Sequence, residues 1–445
     1  MDYLLKGAAV VDPSENRNGR ADILIRRGLI AEVGEDIVLA PGDAVPVLDV
    51  SGLHAVPGLI DIHVHFRDPG FTHKETLETG AAAAVAGGFT GVVCMPNTDP
   101  VLDEPEVLED LLSRGAALGC RIYAMGAVTL GQRGREVCPL GELKAAGAVG
   151  ITDDGKSVAQ AGVMFEALKK ARVHGLTVSS HCEEPSLMFD RSINAGDTAA
   201  HLGLQGVPAL AEELMIQRDL LLAEAAGARL HIQHISTARG VEMVRQAKAR
   251  GVKVTAEAAP HHFCLTEEAV IFCGTSAKMS PPLRTEKDRE AVCRGLADGT
   301  IDAIATDHAP HTADEKGTDL AAGANGIVGL ETALGLGLKY LVKPGYLSFS
   351  GLVNRMSTAP AVLLGLPGGS LRQGQPADVT LIDLDREWTV DAASFRSRGR
   401  NTPFEGELLK GRAVMTLVGG ELRSCADPEQ GAPPVDRWWD RTAGV

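Results

Sequence analysis

LIDIHVHF, residues 59 to 66, is a short apolar run into which two histidines are set at i and i+2. In an extended strand successive side chains point to opposite faces, so His63 and His65 share one face while Ile62 and Val64 occupy the other. Two imidazoles side by side inside a fold desolvate each other's polar edges, and a divalent cation such as zinc is a common way to satisfy them. Seven more short β-rich runs follow: FTGVVCMP (89–96), RIYAMGAV (121–128), AVGIT (148–152), LTVSSH (176–181), RLHIQH (229–234), VKVTAE (252–257) and IDAIAT (301–306). Helical stretches such as KETLETGAAAAVAGG, VMFEALKKARVHG and GVEMVRQAKARG separate them, each ending at or beside glycine as helices commonly do. Eight strands alternating with helices predict an α/β fold, a (β/α)8 TIM-like barrel over residues 56–365. A doubly wound open sheet has the same local texture.

The two ends of the chain have a different texture. Residues 1–55 read as short strands, with a hairpin turning at Arg27-Gly28, and GSLRQGQPADVTLIDLD and GRAVMTLVGGELR return to that pattern within residues 366–430. The expectation is a small β-sandwich domain formed from both chain ends, followed by a tail (431–445) whose Trp438 and Trp439 pack on the barrel exterior. A formal net charge of -15 with no basic stripe argues against a nucleic-acid partner. The lack of a long apolar run argues against a membrane, and the start shows no leader pattern, so the cytoplasm is expected. Eight scattered cysteines without a CxxC read as reduced thiols rather than as a thiolate zinc site.

Polar, metal-competent residues stand where the apolar runs finish. Asp153 and Asp154 end the fourth run, His181 the fifth, His234 the sixth and Asp307 the eighth. A lone strand-end histidine is usually satisfied by ordinary hydrogen bonds, and an aspartate beside glycine is usually a turn residue. In a barrel, however, all strand C-termini converge on one face, where these residues would meet His63 and His65. Nitrogen and oxygen donors without thiolate suit Zn²⁺ or a similar ion, and the set is large enough for two ions sharing a carboxylate.

PGLIDIHVHFRDPG (57–70), SHCEE around His181, HIS around His234, ATDHAPH (305–311), GIVGLE (326–331) and NTPFEG (401–406) occur in that order. Together they resemble the bacterial dihydroorotases of the amidohydrolase superfamily, over nearly the whole chain to about residue 420. The resemblance implies reversible hydrolysis of L-dihydroorotate to N-carbamoyl-L-aspartate in pyrimidine biosynthesis, with two Zn²⁺ per subunit. It places His63, His65 and Asp307 on one ion and His181 and His234 on the other. The bridge is Asp154, the aspartate followed directly by glycine, which leaves Asp153 as a loop residue. Asp307 would also be the catalytic proton shuttle. Substrate would meet His65, Arg67, Asn97, Ser280, His311, Asn325 and Gly326, with Arg67, Asn97 and His311 on its carboxylate and Asn325 and Gly326 on the ring. Ser280 departs from the asparagine usual in the family, and its shorter side chain is expected to reach substrate only through water.

Hydantoinases and allantoinases of similar fold carry a carboxylated lysine at the end of the fourth strand, whereas VGITDDG has aspartates there and Lys156 is displaced into solvent. HTADEKGTDLAAGAN (311–325) is long and polar enough to form a lid. His261 and His262 are read as packing residues behind the ligands, and Cys94 and Cys182, lacking a base partner, as non-nucleophilic. Partners implied are the small-molecule substrate, further copies of the chain in a homo-oligomer, and aspartate carbamoyltransferase. The competing readings are another cyclic amidohydrolase acting on hydantoins or allantoin, and a non-catalytic homologue that serves the carbamoyltransferase as a structural partner.

Overall fold

The computed structural model describes residues 2–426, so Trp438 and Trp439 lie outside the described residues. Its sixteen strands fall into two groups. Those of the first are β1 (Tyr3–Asp12), β2 (Arg17–Arg26), β3 (Leu29–Gly34), β4 (Val47–Asp49) and β5 (His54–Pro57), completed by three from the far end of the chain. The second group comprises β6 (Leu59–Val64), β7 (Phe89–Cys94), β8 (Arg121–Ala124), β9 (Ile151–Thr152), β10 (Thr177–Ser180), β11 (Arg229–Ile232), β12 (Val254–Ala258) and β13 (Ala303–Ile304). The closing three are β14 (Val379–Thr389), β15 (Leu408–Val418) and β16 (Glu421–Cys425). Each of the eight sequence runs coincides with one strand of the second group, β12 extending to Ala258 just past its run.

The strands of the second group are parallel, β6-β7-β8 in one sheet and β9 to β13 in another. Single parallel bridges join the two sheets at both edges. At one, Gly126 pairs with Ile151, and Thr152 N donates to Gly126 O at 2.9 Å; at the other, Val64 pairs with His308, and His65 N donates to His308 O at 2.9 Å. The eight strands are therefore hydrogen-bonded in a ring, in chain order, and the fold is of the mixed α/β class. Helices between them bury their inner faces. The helix Leu77–Ala86 starts at a reciprocal Thr76/Thr79 cap and packs small residues inward, with Gly80 so close to Phe66 that a Cβ would lie 2.5 Å from its ring. The helices Ala161–His174 and Ala209–Ala226 stop at glycines in the left-handed region, which leave the last carbonyls paired without a Cβ clash.

The chain ends share one sheet, in the order β16-β15-β14-β5-β1-β2-β3 with β4 also on β1, as expected from their common texture. The β2-β3 hairpin turns at Arg27 (φ 50°) and Gly28 (φ 76°), the pair of positive values that suits the twist of a two-residue hairpin. Leu5, Val10, Ile23, Val379 and Leu417 form its own apolar core. A two-pronged contact from Arg121 to Asp378, 2.7 Å and 3.0 Å, ties it to the parallel strands. No helix among the described residues is long and apolar enough to cross a membrane, and all eight cysteines are free thiols.

Candidate active site

His63 is the penultimate residue of β6, and His65, Asp154, His181, His234 and Asp307 lie just beyond the ends of β6, β9, β10, β11 and β13. All six are buried and converge. Asp154 occupies the middle: its Oδ1 is 3.3 Å from His63 Nε2 and 3.5 Å from both His181 Nδ1 and His234 Nε2, and its Oδ2 is 3.3 Å from His65 Nε2. Asp307 Oδ1 stands 3.0 Å from His65 Nε2 and 3.5 Å from His63 Nε2. Three triads of donor atoms lie within 4.8 Å of one another: His63, His65, Asp154; His63, His234, Asp307; and Asp154, His181, His234. Two of these residues hold strained backbone, His234 at φ 31° and Asp307 at φ 48°, which a non-glycine residue keeps only where its surroundings over-determine it.

The donor set fits a divalent metal centre. His63 Nε2 and Asp154 Oδ1 are buried, face each other and have no hydrogen-bond partner, a cost that a shared cation removes. Burial opposes charge on Asp154, but the surrounding histidines, His63 foremost, outweigh it and hold the carboxyl well below its usual range. Burial likewise opposes protonation of His63, and Asp154, Asp307 and Glu257 overcome it.

Three of the four imidazoles are oriented from behind, whereas His234 Nδ1 is buried without a partner. His63 Nδ1 meets Glu257 Oε1 at 2.6 Å, and the other oxygen of Glu257 meets His231 Nε2 at 3.0 Å. His65 Nδ1 donates to Asn97 Oδ1 at 2.9 Å. His181 is turned the other way, with Nε2 on Glu183 Oε2 at 2.9 Å and Nδ1 toward the cluster. Such partners fix the tautomer and raise ligand basicity. Asp61 accepts from the backbone of His63 and of Thr306, bracing two strand ends, and burial pushes its pKa up to about 7. Glu257, Glu183 and Asp61 went unremarked in the sequence. The one available signal was an acid inside or directly after a strand, which is costly unless paired. Asp153 accepts from Val128 N at 2.8 Å and from Thr129, so it anchors the loop after β8, and burial raises its pKa to about 6.

Above the cluster opens a cavity of about 200 Å³ lined by His65, Arg67, Asn97, Asp154, His181, His234, Ser280, Asp307, His311 and Asn325, among others. Arg67, at φ 60°, donates from Nε to Pro310 O at 3.3 Å and approaches His311 Nε2 at 3.3 Å. Among the described residues no carboxylate lies within ion-pair distance of it. Burial, and then Arg67 itself, lower the His311 pKa to about 3, so this imidazole is neutral and its Nδ1 donates to Glu315 at 3.1 Å. Ser280 Oγ donates to Glu183 Oε2, which places it beside His181. Asn325 Oδ1 is buried without a partner.

Gly326 does not line this cavity. Its N–H donates to Lys278 O at 3.0 Å, its carbonyl accepts from Asn401 and Lys316, and a Cβ there would lie 2.5 Å from Ala309 O. Lys156 is exposed at the mouth. His262 donates to Pro281 O at 3.0 Å, and burial lowers the His261 pKa to about 4, so the pair is packed neutral. Burial raises the thiol pKa values of Cys94 and Cys182, the opposite of what a nucleophile needs.

Residues 52–240 match the family model described as dihydro-orotase-like. Curated dihydroorotases align over almost their full length: that of Acetivibrio thermocellus is 48% identical over 94% of this chain and 98% of its own, and that of Pelotomaculum thermopropionicum 50% identical over 95% and 98%. The L-hydantoinase (dihydropyrimidinase) structure from Arthrobacter aurescens superposes with a TM-score of 0.86 at 27% identity, covering 95% of this chain and 96% of that one. A D-hydantoinase shares the fold at TM-score 0.84 and 21% identity over 96% of both chains. The fold is thus common to several cyclic amidohydrolases, whereas the sequence agreement singles out one of them: the chain belongs to the dihydroorotase family.

Proposed function

We propose that this chain interconverts L-dihydroorotate and N-carbamoyl-L-aspartate in pyrimidine biosynthesis, at two zinc ions on the C-terminal face of a (β/α)8 barrel. The observation that carries the substrate reading is Arg67, a guanidinium without a carboxylate partner lining the same cavity as six clustered metal donors. Dihydroorotate brings a carboxylate to it; hydantoin and allantoin bring none.

His63, His65 and Asp307 would hold one ion, His181 and His234 the other, with Asp154 between them. When bound, a divalent ion polarises a carbonyl and lowers the pKa of water from 15.7 to about 7. Asp307, whose pKa is held below the usual carboxylate range by His63 and His65 despite its burial, receives the proton of the attacking water. It then returns that proton to the ring nitrogen as the amide C–N bond breaks. Arg67 binds the substrate carboxylate in a two-pronged contact, with neutral His311 and Asn97 beside it, while Asn325 and Ser280 face the ring. Ring closure uses the same groups in reverse.

The ring of parallel strands supports a barrel domain over 56–365, and the shared sheet supports a small β domain over 1–55 and 366–430, of which residue 1 and 427–430 lie outside the described residues. Leu210, Leu214 and Leu221, exposed along the helix Ala209–Ala226, support assembly into a homo-oligomer. Turnover of dihydroorotate beside hydantoin and allantoin, with a metal count on the purified protein, tests the function. Dihydroorotate is the preferred substrate and the count is two zinc ions per chain; preference for an uncharged ring overturns the reading.

A further inference from the structure

The segment 311–326, whose His311 and Asn325 line the cavity, is held by two lysines that have no carboxylate partner among the described residues. Lys316 is buried, and its Nζ lies 2.9 Å from Ala324 O, 2.9 Å from Gly326 O and 3.2 Å from Lys278 O. The first two carbonyls flank Asn325, whose side chain lines the cavity with an unpartnered Oδ1. The third belongs to the segment that leads into Ser280, on the neighbouring wall. Lys278, also buried, donates from Nζ to Gly323 O at 2.6 Å and Ala321 O at 3.2 Å, securing the stretch just before. A buried lysine is expensive to desolvate and is retained where its donors meet acceptors that would otherwise be orphaned. Here those acceptors are loop carbonyls on both sides of one cavity residue, so the amine sets the peptide planes that aim it.

We propose that Lys316 is a positioning residue for substrate binding: by gripping the carbonyls before and after Asn325 and tying them to Lys278, it aims the Asn325 amide at the substrate ring. The proposal rests on the dihydroorotase reading of the cavity. Lys316 touches neither the metal donors nor the carboxylate site, so its loss should be felt in binding and not in the chemical step.

The test is a double-mutant cycle on the metal-loaded full chain, with kcat and KM for dihydroorotate measured in wild type, Lys316→Met, Asn325→Ala and the double variant. Lys316→Met raises KM about tenfold and leaves kcat within about threefold, the loss expected for hydrogen bonds to a buried amine. In the Asn325→Ala background the same substitution changes KM by less than about twofold, because the two residues act as one unit. An unchanged KM in Lys316→Met, effects that multiply independently, or a fall confined to kcat overturns the proposal. So does loss of cooperative unfolding or of bound metal in Lys316→Met, since the amine would then hold the fold and not the loop. A wild-type chain that does not turn over dihydroorotate overturns the substrate reading, and this proposal with it, before any variant is compared.

Discussion

The floor and the rim of the cavity are built on different principles. The floor stands on strand ends, and three of its imidazoles are steadied from behind by a carboxylate or an amide: Glu257 on His63, Asn97 on His65, Glu183 on His181. The rim stands on loops, and its anchors are amine-to-carbonyl contacts from Lys316 and Lys278, together with Asn401, which accepts from His311 N and donates to Gly326 O. A floor of opposed charges has one low-energy arrangement once cations are present. A rim pinned through main-chain carbonyls can yield by parts. On the proposed reading, the chemistry falls to the floor and the choice of substrate to the rim.

Four measurements test this division. Asp307→Ala removes the residue proposed as both metal donor and proton carrier, and kcat should fall by at least about a thousandfold, with a melting temperature within about 5 °C of wild type. A fall in KM alone would contradict its place in the floor. Glu257→Gln touches neither cavity nor substrate, yet it should weaken metal retention about 10- to 100-fold, read as zinc content after dialysis against chelator. Arg67→Ala, at the rim, should weaken dihydroorotate binding about thirtyfold by removing a charged contact, while zinc content stays at the wild-type value. Unchanged affinity would refute the clamp.

The smallest effect concerns pH. Burial and then the neighbouring Lys278 hold the Lys316 pKa at about 7, against 10.5 for an ordinary lysine. Between these values the unfolded chain keeps the proton and the folded chain releases it, so stability from this group rises with pH across that window. Lys316→Met should therefore show a smaller gain in denaturation midpoint from pH 7 to pH 9.5 than wild type. Equal gains would show that the amine is solvated.

Much of the floor was legible before any coordinates. His63 and His65 betray themselves by spacing, and Asp154, His181, His234 and Asp307 by standing where β-rich runs stop. What was hidden depended on distance along the chain. Glu257 reads as an unremarkable residue at the close of VKVTAE, and only folding brings it to His63, 194 positions away. Lys316 sits in a polar stretch where a lysine normally points to water, so its burial had no signal. The resemblance puts Gly326 at the substrate ring, but its backbone groups are spent inside the protein. Ser280 shows a third kind of limit: its departure from asparagine was visible, while the acceptor it meets, Glu183, was not. The α/β alternation and the sharing of one sheet by both chain ends were readable from texture alone.

That shared sheet has a consequence for biosynthesis. Leu371 N donates to Asp12 Oδ2 across 359 positions, and β5 is sandwiched between β1 and β14. During translation β1 to β5 emerge with one flank of their sheet unpaired, and they remain so until β14 follows the eight parallel strands out of the ribosome. The parallel strands, whose partners follow in sequence, can assemble meanwhile. The strands β14 to β16 therefore act as the latch of the sheet, and a nascent chain stalled before β14 would expose an open sheet edge prone to association with other chains.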